Sequence, residues 1–177
     1  FKKILYYDHN DEYKGIKLLK PLYLAIKKKQ VLKIEYKNFK DEHSRVFEFH
    51  PYLLKQYNRR WFVYGQNTTD KVLEWSTPLD ERLIHFEIID DGVQYIESET
   101  DWDEYFRSIV GIVKPLGSKK ERIVLKFHND NRINHFKTKP FHPEFEEFFE
   151  EDKQDQIWFD CIINRELVQQ ILSYGND

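Results

Sequence analysis

Arginines that stand beside aromatic residues are the side chains of this sequence best suited to binding chemistry. Tyr36 and His50 flank Arg45 at spacings that neighbouring strands bring together, and Arg60 directly precedes Trp61. A guanidinium group offers paired donors that match a phosphate, and an aromatic ring stacks on an unpaired base for roughly 1–3 kcal/mol. If these residues converge on one open face, they form a site for a nucleotide or a short single strand.

The same residues have a plainer structural interpretation, which the sequence leaves open. Trp61 and Val63 alternate in WFVYG and share one face of a strand, so Trp61 is expected to pack in the core. Arg59 and Arg60 are then solvated residues of the turn before that strand. The two interpretations combine if Trp61 holds the fold while Arg60 binds the ligand.

A second basic segment, KTKPFHP, carries Lys139 and His142. One interpretation makes these two residues, with Lys137, a basic element that closes over the same ligand. The other has Pro140 and Pro143 fix the backbone at the entry of a strand, with no ligand involved. Both interpretations stay open at the level of sequence.

Motifs that carry catalysis are missing from the sequence. It contains no Gly-rich phosphate loop, HExxH, CxxC or GxSxG, and its histidines lack the spacing of a metal site. We therefore predict a protein that is not an enzyme, with no catalytic residues, metal or cofactor. The single cysteine, Cys161, alternates with Ile157, Phe159 and Ile163 and is expected to be a buried thiol in a reducing compartment.

Charge is distributed unevenly along the chain. Residues 1–86 hold 17 Lys and Arg against 11 Asp and Glu, a balance of +6, whereas residues 87–177 hold 11 against 20, a balance of −9. A basic first half favours an anionic partner there, and the acidic remainder disfavours indiscriminate binding to duplex DNA. With no signal peptide and no apolar run of about 18 residues, a cytoplasmic protein without membrane association is expected. The chain begins at Phe1 and has no methionine, which predicts a fragment of a longer protein.

Hydrophobic periodicity predicts the elements that must position these side chains. Residues 1–107 are expected to hold an N-terminal strand, a helix over 14–30 that effectively starts near Pro21, and about five short strands. The second of these strands is expected to end at Pro51 or to place it at an edge. Short strands joined by polar turns indicate a small β-barrel or a curled sheet.

Residues 108–177 are predicted to be an α/β extension, which makes the whole chain an α+β protein. The pattern gives strands over 109–113 and 122–128, a helix from Asp130, and strands over 144–151 and 156–163. A final helix is capped by Asn164 and buries a stripe of four residues, Leu167, Val168, Ile171 and Leu172. From the strand over 122–128 onward, the order strand–helix–strand–strand–helix is that of a ferredoxin-like unit without its last strand.

Several of these motifs, taken in order, resemble a known family. LYLAIKKKQVLKIEYKNF, HPYLLKQYNRRWFVYG and PLDERL resemble the WYL domain, named for a Trp-Tyr-Leu triplet that stands here as Trp61-Phe62-Val63. Downstream, KTKPFHP and INRELVQQILSYG resemble the C-terminal extension that commonly follows WYL domains in bacterial regulators. The two resemblances together cover nearly the whole chain.

The resemblance implies an SH3- or Sm-like barrel followed by a ferredoxin-like extension. It also implies a homodimeric bacterial transcription regulator, whose N-terminal helix-turn-helix domain binds DNA and is absent from this sequence. The module itself is then a ligand sensor, and its ligand is a single-stranded nucleic acid or a nucleotide-like molecule. The alternatives are an SH3-like protein-interaction or dimerisation module without a nucleic-acid ligand, and an enzyme acting on nucleic acid.

The resemblance adds Arg82 to the candidate site, with one departure from the family pattern. The usual Leu-Asp-Arg-Ile stands here as Leu79-Asp80-Glu81-Arg82-Leu83, so the arginine is displaced by one residue and reaches the site only through a bulge. The complete set of predicted ligand-binding residues is Tyr36, Arg45, His50, Arg60, Trp61, Arg82, Lys139 and His142.

Overall fold

A computed structural model describes residues 15–89 and 92–175, which form two compact units that divide between Glu99 and Thr100. The predicted N-terminal strand lies outside the described residues. The predicted domain boundary after residue 107 stays a prediction; the compact units divide eight residues before it. Within the described ranges, no helix is both long and apolar enough to cross a membrane.

The first compact unit is a five-stranded antiparallel sheet with one helix. Its elements are α1 (Ile16–Lys27), β1 (Leu32–Tyr36), β2 (Arg45–Tyr57), β3 (Arg60–Asn67), β4 (Val72–Pro78) and β5 (Leu83–Ile88). The strands lie in the order β4-β3-β2-β1-β5, so β4 and β5 are the edges. Within residues 15–89 the two edges do not pair, so the sheet is open, and the predicted β-barrel is not closed.

Helix α1 packs on one face of this sheet, which we call the inner face. Leu22 and Ala25 of the helix are buried with Ile34 and Phe49 of the strands. The helix begins at Ile16, so the prediction that it starts near Pro21 was wrong. Leucines before the proline also pack against the core, and this burial offsets the hydrogen bond that Pro21 cannot make.

Strand β2 continues through Pro51 to Tyr57, so of the two predicted alternatives the one in which the proline ends the strand was wrong, and the edge position agrees with the ladders. The ladder to β1 stops at Phe49, which leaves β3 as the only neighbour at Pro51. A register shift between Pro51 and Leu53 marks a bulge there. The hairpin to β3 turns at Asn58 and Arg59, whose φ angles of 43° and 60° are typical of a type I′ turn.

The second compact unit contains a three-stranded antiparallel sheet and three helices. Its elements are α2 (Trp102–Arg107), β6 (Lys120–Lys126), α3 (Asp130–Thr138), β7 (Glu146–Glu147), a 3-10 turn (Glu151–Lys153), β8 (Gln156–Ile162) and α4 (Arg165–Leu172). The strands lie in the order β6-β8-β7. From β6 onward the elements follow the predicted order, but the strand predicted over 144–151 is only two residues long.

The strand predicted over 109–113 does not form. Ile109, Val110 and Ile112 are buried as expected, but Gly111 has a φ of 89°, which interrupts an extended conformation. The carbonyl oxygens of Val110 and Val113 instead accept hydrogen bonds from the Asn164 side chain, each at 2.8 Å. The segment is a buried loop whose polar backbone groups are satisfied by a side chain.

Helix α4 begins as predicted but buries less than predicted. Asn164 Oδ1 accepts a hydrogen bond from Leu167 N at 2.8 Å, which confirms the cap. Of the predicted stripe, Leu167 is buried and Ile171 packs against the core, whereas Val168 and Leu172 are exposed. Cys161 of β8 is a fully buried free thiol, as predicted, and burial raises its pKa.

Candidate ligand-binding site

Arg45 lies at the end of the inner face, surrounded by aromatic rings. It stands directly opposite Tyr36 in the β1–β2 ladder. The central carbon of its guanidinium group is 4.7 Å from the ring centroid of Trp75, 5.7 Å from that of Phe47 and 5.9 Å from that of Tyr36. Aromatic faces attract cations, so these rings hold the guanidinium group in place at the open end of the core.

The polar contacts of Arg45 leave part of its guanidinium group accessible. Its Nη1 atom lies 3.1 Å from Asp70 Oδ2, and Asp70 in turn accepts a hydrogen bond from Asn67 Nδ2 at 2.9 Å. The Nε atom is buried without a hydrogen-bond partner among the described residues. Because the side chain is still 40% exposed, Arg45 is anchored on one side and open to solvent on the other.

Asp80 connects Arg82 with Arg60. Arg82 donates to the carboxylate from Nε at 2.9 Å and from Nη2 at 2.7 Å, and Arg60 Nε lies 3.5 Å from the same group. Burial raises the pKa of Asp80, but its hydrogen bonds with Arg82 and the charges of both arginines outweigh burial and leave the pKa below its ordinary value. Asp80 is therefore a buried carboxylate ion that fixes one guanidinium group and neighbours a second.

The displaced Arg82 reaches the site through a bulge, as expected. Between β1 and β5 the register shifts after Glu35, which pairs with His85, so that Tyr36 faces Leu83. The backbone at Arg82 accepts a hydrogen bond from Lys37 N at 2.9 Å, which keeps it beside the end of β1.

The charge of the Arg82 guanidinium group also acts on the Tyr36 hydroxyl. Burial raises the pKa of the Tyr36 hydroxyl, and the charge of Arg82 opposes that shift without cancelling it. Tyr36 thereby joins the Arg45 side of the site to the Arg82 side. We call these connected residues, Tyr36, Arg45, Arg60, Asp80 and Arg82, the arginine cluster.

Asp70, Trp75 and Asp80 were not singled out by the sequence. Trp75 and Leu73 are two residues apart in β4, and this spacing predicts that they share one face of a strand. It does not predict that an arginine side chain packs against that face. Asp80 lies two residues before Arg82, and that spacing was the available signal. Trp61 packs beside the buried core, in agreement with its predicted structural role; a ligand contact by Trp61 stays a prediction.

His50 is fully buried and is not part of the arginine cluster. Its Nδ1 atom accepts a hydrogen bond from Ile96 N at 3.0 Å, so its proton is on Nε2, which lies 3.1 Å from Glu48 Oε1. Residues alternate along β2, and His50 falls on the opposite face from Arg45. The structure therefore accounts for both ring nitrogens within the fold, and a role for His50 in ligand binding stays a prediction.

Lys139 and His142 lie in the second compact unit. Lys139 is exposed just beyond α3, where its backbone N–H caps the helix. His142 is buried and stacks on Phe159 with ring centroids 4.7 Å apart. Its Nδ1 accepts a hydrogen bond from Glu144 N at 3.2 Å, and its Nε2 lies 3.1 Å from the Arg107 carbonyl. These contacts give His142 a structural role in the second unit. The contribution of Lys139 and His142 to a ligand site stays a prediction.

Within the part of the chain that the structure describes, no group of three or more His, Cys, Asp or Glu side chains is placed to hold a metal ion. The second unit contains an open, polar cavity of about 490 Å³, lined by residues that include Asp130, Lys137, Asp152 and Asp155. None of the eight predicted ligand-binding residues lines it.

Comparison with known proteins identifies part of the chain. No curated protein sequence matches it. Among solved structures, the proteasome accessory factor B/C (PafBC) of Arthrobacter aurescens is similar, with 13% sequence identity and a TM-score of 0.46 over 92% of this chain. The chain covers 24%, about a quarter, of that protein's length. Residues 17–75, which include Tyr36, Arg45 and Arg60, match the family model of the WYL domain, the family that the motifs of the sequence resemble.

Proposed function

We propose that the first compact unit is the ligand-sensing module of a cytoplasmic transcription regulator. Its ligand is a short single-stranded nucleic acid or a nucleotide-like molecule, bound at the arginine cluster without turnover. The observation that carries this proposal is the position of Arg45 and Arg60, whose side chains are 40% and 49% exposed beside aromatic rings and a buried acidic anchor. The WYL match over residues 17–75 supports a sensory role.

The arginines have different roles in this proposal. Arg82 uses Nε and Nη2 on Asp80 and is only 19% exposed, so it positions the site. Arg60 makes only the 3.5 Å contact between its Nε and Asp80 among the described residues, which leaves its terminal nitrogens available. Arg45 and Arg60 are then the residues that contact phosphate directly, since a guanidinium fork matches phosphate oxygens.

Charge in the site supports an anionic ligand. The three arginines of the cluster face two carboxylates, Asp70 and Asp80, and the charge of Glu81 also acts on Arg82, so the excess of positive charge is at most one. The excess is small, so binding relies on aromatic contacts as well as on charge. A ligand that carries both phosphates and unpaired bases satisfies both requirements.

Strand order supports the finer fold assignment within the proposal. In the first unit β1 to β4 follow one another across the sheet, and β5 returns to pair with β1, as in a small SH3- or Sm-like barrel that stays open. In the second unit β8 lies between β6 and β7, which is the arrangement of a split β-α-β, ferredoxin-like unit without its last strand.

The test is a titration of the chain with short single-stranded and duplex oligonucleotides across a salt series. Two to three phosphate contacts to a single strand predict a slope of about −1.4 to −2 in log affinity against log salt. Arg60→Ala and Arg45→Gln are expected to weaken binding, and Lys20→Ala on α1 is the matched loss of one exposed positive charge. Failure to bind both oligonucleotides and mononucleotides at low salt would reject the proposal in favour of a protein-interaction module.

A further inference from the structure

Phe39 is a large aromatic side chain that the fold leaves in solvent. It lies in the loop between β1 and β2 and is 66% exposed. It packs in neither hydrophobic core. An exposed ring forgoes the burial that ordinarily stabilises a phenylalanine, by about 1.5–3 kcal/mol. Its position therefore calls for an explanation other than core packing.

The loop that carries Phe39 is held by local hydrogen bonds. Asn38 Nδ2 donates to Asp41 Oδ2 at 2.7 Å, and Asp41 N donates to the Asn38 carbonyl at 3.1 Å. The neighbouring Lys37 N donates to the Arg82 carbonyl at 2.9 Å. The first two bonds fix the loop around Phe39, and the bond from Lys37 connects the loop to Arg82 of the arginine cluster.

Phe39 also contacts the arginine cluster through its ring. The central carbon of the Arg82 guanidinium group lies 4.8 Å from the Phe39 ring centroid. Arg82 is itself fixed by two hydrogen bonds to Asp80, and Asp80 adjoins Arg60. A continuous series of contacts therefore joins an exposed aromatic ring to a guanidinium group with available donors.

We propose that Phe39 is the stacking platform for a nucleobase of the ligand. This inference rests on the proposed function and narrows it, because it requires a ligand with an unpaired base beside a phosphate. A simple anion or an acidic peptide satisfies the arginines but leaves Phe39 unused. Stacking on a π-face tolerates every base, so the site has little base preference.

The experiment compares two ligands of equal charge on the 177-residue chain. One is an oligothymidylate about six nucleotides long, and the other is an abasic phosphodiester of the same length. Wild-type protein is expected to bind the oligothymidylate about 5- to 100-fold more tightly than the abasic strand. Phe39→Leu is expected to remove that difference without changing affinity for the abasic strand.

Two further variants separate stacking from hydrophobic contact and from loss of folding. Phe39→Trp retains an aromatic face and is expected to keep the preference for bases. Phe149→Leu removes a ring that is 99% exposed in the second unit, and is expected to change nothing. Thermal denaturation of all variants checks that Phe39→Leu leaves the fold intact, as expected for a residue outside both cores.

The outcomes distinguish this inference from the proposed function. The stacking role is overturned if wild-type protein binds oligothymidylate and the abasic strand equally, or if Phe39→Leu keeps the preference for oligothymidylate. If Arg60→Ala still weakens binding in that case, the proposed function stands. Absence of binding of both oligonucleotides and thymidine monophosphate by wild-type protein at low salt overturns both. Binding of thymidine monophosphate that is lost in Phe39→Leu supports the stacking role and assigns a free nucleotide as the ligand.

Discussion

Asp80 holds Arg82 by two hydrogen bonds, from Nε at 2.9 Å and from Nη2 at 2.7 Å. A third bond, from the Arg82 backbone N at 3.1 Å, closes a turn just before β5. Asp80 lies outside the segment that matches the WYL model, yet it organises residues on both sides of that limit. An acidic residue thus shapes a site whose ligand we propose to be an anion.

Replacement of this carboxylate tests whether Asp80 positions the arginines or competes with the ligand. Asp80→Asn leaves the half-buried Arg82 without its ion partner, and we expect a loss of about 1–3 kcal/mol in the free energy of unfolding. We also expect weaker oligonucleotide binding, because Arg82 and Arg60 lose their common anchor. Chemical denaturation and titration measure the two effects. Glu42→Gln, an exposed carboxylate in the β1–β2 loop, is the control, and tighter binding by Asp80→Asn would show that the carboxylate competes instead.

The lowered pKa of Asp80 predicts how its contribution depends on pH. A carboxyl group whose pKa is lower in the folded state stabilises the protein above its unfolded pKa of about 3.9, and that stabilisation is lost as the pH falls through the folded value. The stability difference between wild type and Asp80→Asn is therefore expected to be constant near neutral pH and to shrink below about pH 4. Denaturation curves collected across this range check it. A difference that grows on acidification would contradict the ion pair.

His50 is expected to contribute to stability, and the same variants test its predicted role in ligand binding. His50→Leu leaves the Ile96 backbone N–H without its acceptor, at a cost of about 1–3 kcal/mol in the free energy of unfolding. The matched variant His85→Leu replaces an exposed histidine of β5 and is expected to stay within about 0.5 kcal/mol of wild type. Oligonucleotide titration of the folded variants measures whether His50 also contributes to ligand binding, with His85→Leu as the reference. Loss of oligonucleotide binding by a folded His50→Leu protein would support the predicted role of His50 in ligand binding.

Local sequence patterns predicted most elements but not the contacts between them. Helix α1 and the Asn164 cap follow from residues close together in the chain, and so do the strands β1 and β8. The prediction of a strand over 109–113 was wrong because hydrophobic periodicity reports only burial. A buried loop whose carbonyl groups are hydrogen-bonded has the same apolar pattern as a strand.

The candidate site shows the same limit. Opposite placement of Tyr36 and Arg45 follows once the β1–β2 hairpin is assumed, but the register itself is not visible in the sequence. His50 was grouped with Arg45 although five residues of an alternating strand place them on opposite faces. Asp80 was missed although its main partner, Arg82, lies only two residues away, because its second partner, Arg60 on β3, is distant in the sequence.

Gly65 of β3 is expected to be required for the stability of the five-stranded sheet in the first unit. A Cβ atom there would lie 2.3 Å from the His50 carbonyl oxygen and 2.5 Å from the Phe49 ring, at the bulge in β2. Backbone cannot move aside as a flexible side chain does, so Gly65→Ala is expected to lower the free energy of unfolding by about 1–3 kcal/mol or more. Gly117→Ala is the control, since nothing lies within 4 Å of its Cβ position and only its φ of 72° opposes the change. A Gly65→Ala protein as stable as Gly117→Ala would contradict this packing.

The thiol of Cys161 provides a chemical test of the second unit. Cys161 is fully buried in β8 and burial raises its pKa, so both access and thiolate formation are suppressed in the folded protein. A thiol-specific reagent at mildly alkaline pH is expected to label the native chain far more slowly than the chain unfolded in denaturant. Because the sequence contains only one cysteine, the labelled fraction reports this position directly. Rapid, complete labelling under native conditions would mean that β8 opens readily and that the core formed with Phe136 and Leu167 is not closed in solution.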